Sequence, residues 1–255
     1  MGDCFSHLGL NAKERIFASR CGELACLARE RGITRFTPFL DEREQSIASC
    51  AAATFGCKGG AWGGFGGALR AVYAFSEEDS PLPEEYPISS VTVRWRKNYM
   101  IHHRDLLGTL MSLQIKRETI GDILVGEGEA VLFILPSVAP ILLQSVTKVG
   151  GVGIVCEEGH PMLLPQVRKE RHEGIAASLR ADCITAMLTG KSRSEAARLI
   201  RAGLVAHGGR IIINPSCPVA AGESISIRGV GKFFLCGVGN ETRSGRLHVA
   251  YEKYI

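Results

Sequence analysis

The stretch SLRADCITAMLTGKSRSEAARLIRAGLV (residues 178–205), followed by GESISIRGVGKF (residues 222–233), decides how this chain is read. Ser178 is placed to cap a helix that runs to Leu188 and is broken by Gly190. Ser192 and Glu195 stand three residues apart as a capping box, which starts a second helix at Arg193. That helix is expected to end at Gly203, because glycine takes the left-handed backbone that closes a helix. At helical spacing Arg193, Arg201 and Arg198 share an arc of about 140°, opposite Ala196, Leu199, Ile200 and Gly203. A solvated helix face usually mixes both signs of charge, yet Glu195 stands off the arginine arc. The face is therefore predicted to meet phosphate. Short strands are expected at residues 204–206, 210–213, 224–228, 233–235 and 246–251. They carry Arg210, Arg228, Lys232, Arg243 and Arg246 on themselves or their turns.

Working outward, 30 Lys and Arg against 26 Asp and Glu give the 255-residue chain a net charge of only +4. That total hides an asymmetry. Two stretches rich in breakers or charge, SEEDSPLPEEYP (76–87) and QVRKERHEG (166–174), read as linkers and divide the sequence into three. Residues 1–87 hold 9 basic and 12 acidic side chains, residues 88–165 hold 7 of each, and residues 166–255 hold 14 basic and 7 acidic. A basic final third is the electrostatic footprint of a module that binds a polyanion.

The first segment reads as a helix over about residues 11–32 and a second over 41–54, with acids in its first turn. The glycine cluster GGAWGGFGG (59–67) lacks G-x-G-x-x-G and has no following Lys-Ser/Thr, so a tight turn or close backbone packing is expected there. The second segment alternates at Ile88, Val91, Val93 and Trp95 as a strand. A helix over 104–113, a buried strand over 131–135, a helix over 140–146 and a short strand over 153–156 follow. That order suggests a ferredoxin-like layer of the RNA-recognition type, although the aromatic signature for base stacking is missing. The whole is an α+β chain of three small domains: an N-terminal α/β domain (1–87), a central RNA-binding domain (88–165) and a C-terminal αα-β RNA-binding domain (175–255).

Several functions are excluded or set aside. The apolar run over 130–146 is interrupted by Pro136 and Pro140, well short of the roughly 20 residues a membrane span needs. Asp3 and Glu14 and the lack of an apolar leader point to a cytoplasmic protein. Nine scattered cysteines without C-x-x-C predict neither a disulfide framework nor a metal site, and no cofactor is expected. Gly190-Lys191-Ser192 resembles the end of a phosphate loop, but the required first glycine is Thr185. His103-Arg104-Asp105-Leu106 resembles a kinase catalytic loop, but the metal-binding Asn would be Leu110 and no D-F-G follows. No G-x-S-x-G or H-E-x-x-H occurs.

The C-terminal run resembles the RNA-binding module of small-subunit ribosomal protein S-four. Arg180-Ala181-Asp182 matches its R-L-D start, Ser192-Arg193 its second helix start, and Ile200 to Val205 its exit. Ala206-His207-Gly208 replaces the usual Val-Asn-Gly. Upstream, FLDEREQSIA (39–48), HRDLLGTLMSLQIKRETIGDI (103–123) and KVGGVGI (148–154) are similar to the bacterial YlmH family, encoded among cell-division genes. In that comparison Gln114-Ile115 replaces Gly-Ile, Ala68-Leu69-Arg70 replaces A-E-R, and Thr242-Arg243-Ser244 replaces Thr-Lys-Lys.

The resemblance implies a non-catalytic protein that binds structured rRNA or tRNA on the large ribosomal subunit. It further implies action in rescue of stalled translation and a link to cell division. Its RNA contacts would be Arg180, Lys191, Ser192, Arg193, Arg198, Arg201, Arg210, Arg228, Lys232, Arg243 and Arg246, with no membrane or DNA partner. The competing reading is an RNA-modifying enzyme of the pseudouridine synthase type, using the C-terminal module for targeting and Asp105 or Asp122 as its carboxylate. Against it, the H-R-L-D arrangement of those synthases is not matched by His103-Arg104-Asp105-Leu106. Tyrosyl-tRNA synthetases, which also carry the module, need H-I-G-H and K-M-S-K-S, and neither is present.

Overall fold

The computed structural model describes Phe5 and residues 8–166, 169–242 and 245–254. The chain is α+β and forms two compact units, Met1–Gln166 and Val167–Ile255.

In the first unit α1 (Ala12–Arg31) starts at an Asn11–Glu14 capping box and stops at Gly32, whose φ of 60° supplies the left-handed closure. Strand β1 (Arg35–Leu40) leads to α2 (Glu42–Thr54), capped by Asp41 with Glu44. Strands β2 (Lys58–Trp62) and β3 (Ala71–Ser76) complete an antiparallel sheet in the order β1-β3-β2. Both helices match the expected ranges; the three strands were not read from the sequence. Strand β3 is buried along its whole length because each face has its own cover. Tyr73 and Phe75 pack with the small residues of α1 and α2, among them Ala25, Ala28, Ala48 and Ala51. Val72 and Ala74 point the other way, onto a second sheet.

That second sheet is built by β4 (Ser89–Arg94), α3 (His103–Ser112), β5 (Ile120–Val125), β6 (Glu129–Ile134), α4 (Ala139–Ser145), a two-stranded hairpin β7 (Lys148–Val149) and β8 (Val152–Gly153), and β9 (Val155–Glu158). The order β5-β6-β4-β9, antiparallel throughout, with a βαββαβ sequence of elements, is the ferredoxin-like layout. Val91, Val93, Leu132 and Ile134 face Leu106, Leu110 and Leu142 of the helices. Leu124, Val131 and Phe133 face away from them and are sealed by Phe39, Val72, Ala74 and Tyr86.

Polar contacts lock the two sheets together. Asp122 accepts the Leu69 N–H at 2.6 Å, and Arg70 donates to the carbonyls of Ile120 (3.0 Å) and Phe39 (2.8 Å). The stretch 76–87, expected as a linker, is part of this seam: Tyr86 is buried and its hydroxyl donates to the Gly60 carbonyl at 2.9 Å. The expected segments 1–87 and 88–165 thus share a core within one compact unit. The glycine cluster serves close packing. At Gly64, φ is 98° and an added Cβ would lie 2.3 Å from the Phe133 ring.

The second unit opens with the eight-residue β10 (Lys169–Ala176), so residues 169–174 of the charged stretch expected as a linker are strand. Then come α5 (Ala181–Thr189), α6 (Arg193–Arg201), β11 (Val205–His207), β12 (Arg210–Ile211), β13 (Ser224–Ile227), β14 (Gly231–Glu241) and β15 (Leu247–Tyr254). The sheet order is β10-β15-β14-β13-β11-β12. Ile184, Leu188 and Ile200 of the helices pack on Ile225, Phe233, Leu235 and Val249 of the sheet.

One turn places a side chain at a left-handed position. Helix α3 ends with Ile115 N–H on the Leu110 carbonyl and Gln114 N–H on that of Met111, which forces φ at Gln114 to 60°. A side chain stands where glycine is at ease. Gln114→Gly is expected to raise the midpoint of urea unfolding, a gain of about 1 kcal/mol. Phe133→Ala, which empties the seam between the sheets, is expected to cost about 3–5 kcal/mol in the same measurement.

Candidate nucleic-acid interface

The two helices of the second unit are joined by one carboxylate. The backbone N–H groups at the start of α5 are taken by a neighbouring loop: Ala181 donates to the Cys217 carbonyl at 2.8 Å and Asp182 to that of Pro215 at 3.0 Å. The cap residue is therefore Arg180, not Ser178 as the sequence suggested, since the loop already does the work of a capping hydroxyl. This places the Asp182 side chain, 6% exposed, beneath two guanidinium groups. Its Oδ1 accepts from Arg180 Nε (3.1 Å) and from the Cys183 N–H (3.0 Å). Its Oδ2 accepts from Arg180 Nη2 (3.2 Å) and Arg193 Nε (2.8 Å).

Burial works to raise the Asp182 pKa, but the hydrogen bonds and charges of Arg180 and Arg193 outweigh it and hold the carboxyl at about 2. The pair of cations keeps a surplus positive charge and an open side, with the Arg180 and Arg193 side chains 42% and 56% exposed.

Helix α6 begins as its sequence predicts. Ser192 N–H and Oγ both donate to Glu195 Oε2, at 3.1 and 2.7 Å, and hydrogen bonding to Ser192 lowers the Glu195 pKa. The Ser192 hydroxyl oxygen in turn accepts the Glu195 N–H at 3.3 Å and so caps the helix. The end is as expected too: Leu204 N–H reaches the Leu199 carbonyl and Gly203 adopts φ of 69°. Arg198 is 76% exposed, with Glu195 no nearer than 4.0 Å, and Arg201 and Lys191 are exposed.

The remaining predicted contacts fall at two ends of the sheet. Arg246 is exposed and precedes Leu247, which pairs with Ala176 on the strand that leads into Arg180. Arg228 and Lys232 line a shallow groove with Gly203, Leu204 and Ile211 at the far end of α6. Arg210 is exposed on β12 beside that groove, and the Lys232 ammonium lies 5.8 Å over the Tyr254 ring. Arg243 lies outside the described residues. The helix starts thus gather Arg180, Ser192 and Arg193, while Arg210, Arg228 and Lys232 form a separate group.

Sequence reasoning quoted Asp182 only as part of a motif and missed its role in aiming both arginines. An acid two residues after one arginine and eleven before another, on two adjoining helices, was the available signal. The carboxylates considered for catalysis are engaged in structure. Asp105 accepts the His102 N–H at 2.9 Å at the start of α3, and Asp122 holds the Leu69 turn. Among the described residues no three His, Cys, Asp or Glu side chains gather as a metal site, and no helix is long and apolar enough to cross a membrane.

Three comparisons bear on these geometries. Residues 81–161, which span the whole βαββαβ layer, match the family model described as "Putative RNA-binding domain in YlmH". The chain is 28% identical over 257 residues to the ribosome-associated protein quality control protein P2 of Bacillus subtilis (strain 168), covering 99% of each. The solved structure of the cell division protein ylmH from Streptococcus pneumoniae shares its fold at a TM-score of 0.53 and 18% identity, covering 59% of this chain and 93% of that one.

The Asp182 cluster has a testable pH signature. The folded-state pKa of about 2 lies below the ordinary aspartate value of 3.8, so its stabilisation is present above pH 4 and is lost as pH falls towards 2. The size is about 2 kcal/mol. Asp182→Asn is expected to destabilise the second unit at neutral pH and to flatten its stability profile between pH 4 and 2, as read by denaturant unfolding across pH.

Proposed function

We propose that this YlmH-like chain is a non-catalytic RNA-binding protein of ribosome-associated quality control, acting in the cytoplasm on the large ribosomal subunit. Its targets on this reading are structured rRNA and tRNA, in rescue of stalled translation and with a link to cell division. The C-terminal unit acts as a module of the ribosomal protein S-four type, and the central layer is a second RNA-binding part.

The observation that carries the reading is the pair of guanidinium groups fixed on Asp182, continued along α6 by exposed Arg198 and Arg201. Guanidinium forks match phosphate oxygens, and aiming them in advance lowers the ordering cost of binding. The B. subtilis relative's name, over 99% of both chains, supports the ribosomal setting. Shape and phosphate contact suit such a surface better than base-edge readout. The pseudouridine synthase reading gains nothing from Asp105 and Asp122, whose oxygens hold a helix start and a turn.

Binding of the full chain to large-subunit rRNA is expected to weaken with salt. If about six cations meet phosphates, the slope of log K against log salt is near −5, at roughly −0.7 to −0.9 per contact. Arg198→Glu with Arg201→Glu should weaken binding to all structured RNAs and flatten that slope, whereas Lys13→Glu on α1 should leave both unchanged. A salt-independent affinity, or equal binding by both variants, overturns the reading.

A further inference from the structure

The matched central layer raises a difficulty that its geometry also answers. The face of a βαββαβ sheet left open by its helices is where bases could stack, and here Leu124, Val131 and Phe133 are buried against the first sheet. Nucleotides have no access to it.

The segment RKNYMIHHR (residues 96–104), made of the loop between β4 and α3 and the first two residues of α3, offers what the face does not. It carries Arg96, Lys97 and Arg104, two histidines and no acid. Its shape is fixed from below. Trp95 is buried, its N–H donates to the Gly128 carbonyl at 2.9 Å, and its indole Nε1 donates to the Tyr99 carbonyl at 3.0 Å. Tyr99 N–H closes a turn onto the Arg96 carbonyl at 3.0 Å, and Ile101 returns the chain to the core. Lys97 lays its stem over Gly128, where an added Cβ would meet Lys97 Cγ at 2.7 Å.

With the backbone pinned, Tyr99 is 47% and Met100 82% exposed. Arg96 and Lys97 are exposed and, among the described residues, in no ion pair, and the 84%-exposed Arg104 lies 3.7 Å from Asp105. Arg94 is different: it faces Glu129 and Glu157 and is spent on the strand surface.

We propose that this loop is a binding site for unpaired RNA, with Tyr99 stacking one base, Met100 covering its edge, and Arg96 and Lys97 holding the flanking phosphates. Cations alone would serve any polyanion. An exposed aromatic ring on a fixed turn beside them selects one that carries flat rings, because stacking tolerates any base and needs only a presented face. The site rests on the RNA-binding reading above and adds to it a second contact, in a different unit and for a different RNA form.

The test uses the full chain and two probes, a fluorescein-labelled 12-nucleotide oligouridine and large-subunit rRNA, followed by anisotropy. Tyr99→Ala is expected to weaken oligouridine binding about five-fold or more, and Tyr99→Phe, which keeps the ring, to restore it. Arg96→Gln with Lys97→Gln should flatten the salt slope by about 1.4. These side chains lie in solvent, so an unchanged near-ultraviolet circular dichroism spectrum shows that the variants are folded. If the wild-type chain binds rRNA but not oligouridine, or binds oligouridine and Tyr99→Ala does so equally, the loop site is overturned and the RNA-binding reading stands. If wild type binds neither probe, both fall. A protein partner that competes for the loop while oligouridine does not also overturns it.

Discussion

A four-stranded sheet with helices on one side leaves an apolar surface on the other, and the architecture of the first unit follows from covering it. Val131 and Phe133 need a lid, and the lid is a second sheet whose β3 is apolar on both faces. Face-to-face sheets pack about 10 Å apart only if side chains interdigitate. Gly64 lets the Phe133 ring approach the backbone, and Arg70, Asp122 and Tyr86 satisfy the carbonyls and amides that the contact would otherwise strand. The lid also sets what the central layer can do, because a surface used for internal packing is closed to ligands.

The second unit solves a different problem with one carboxylate. Arginines brought together repel, and loose surface pairs contribute little. Asp182 is buried, is given four hydrogen bonds, and so holds two cations at fixed positions while leaving their outer edges exposed. A face that might be read as charges cancelled by an acid is one whose cations are oriented by it, with a surplus left over.

Helix ends were the most legible feature of the sequence. The Ser192–Glu195 box and the closing Gly203 sit where cap chemistry puts them, and α1 and α2 lie within one residue of their expected bounds, whereas the cap of α5 is Arg180 and not Ser178. Strands β1, β2, β3 and β5 were missed: β3 and β5 are buried on both faces and lose the alternation that reveals a strand, β1 carries Pro38, and β2 runs through glycines 59 and 60 that read as a turn. The stretches 76–87 and 166–174 were misread for a related reason. Proline and charge usually mark solvent, but Tyr86 anchors the first in a seam, and residues 169–174 of the second pair with β15. Of the candidate site, Arg198 and Arg201 were predictable from helical periodicity. The Asp182 contacts depend on how α5 meets α6, which periodicity does not contain.

Strand β10 has a meaning beyond its misreading. An open sheet of six strands ends in two rows of unpaired backbone groups, each a template on which another polypeptide can grow. At one rim β12 is only two residues long. At the other, Lys169, Glu170, Arg171, His172 and Glu173 occupy consecutive positions, so any added chain would have to strip water from a run of charges. The same composition that made this stretch look unstructured borders the sheet with charge and so disfavours the addition of another strand at that rim.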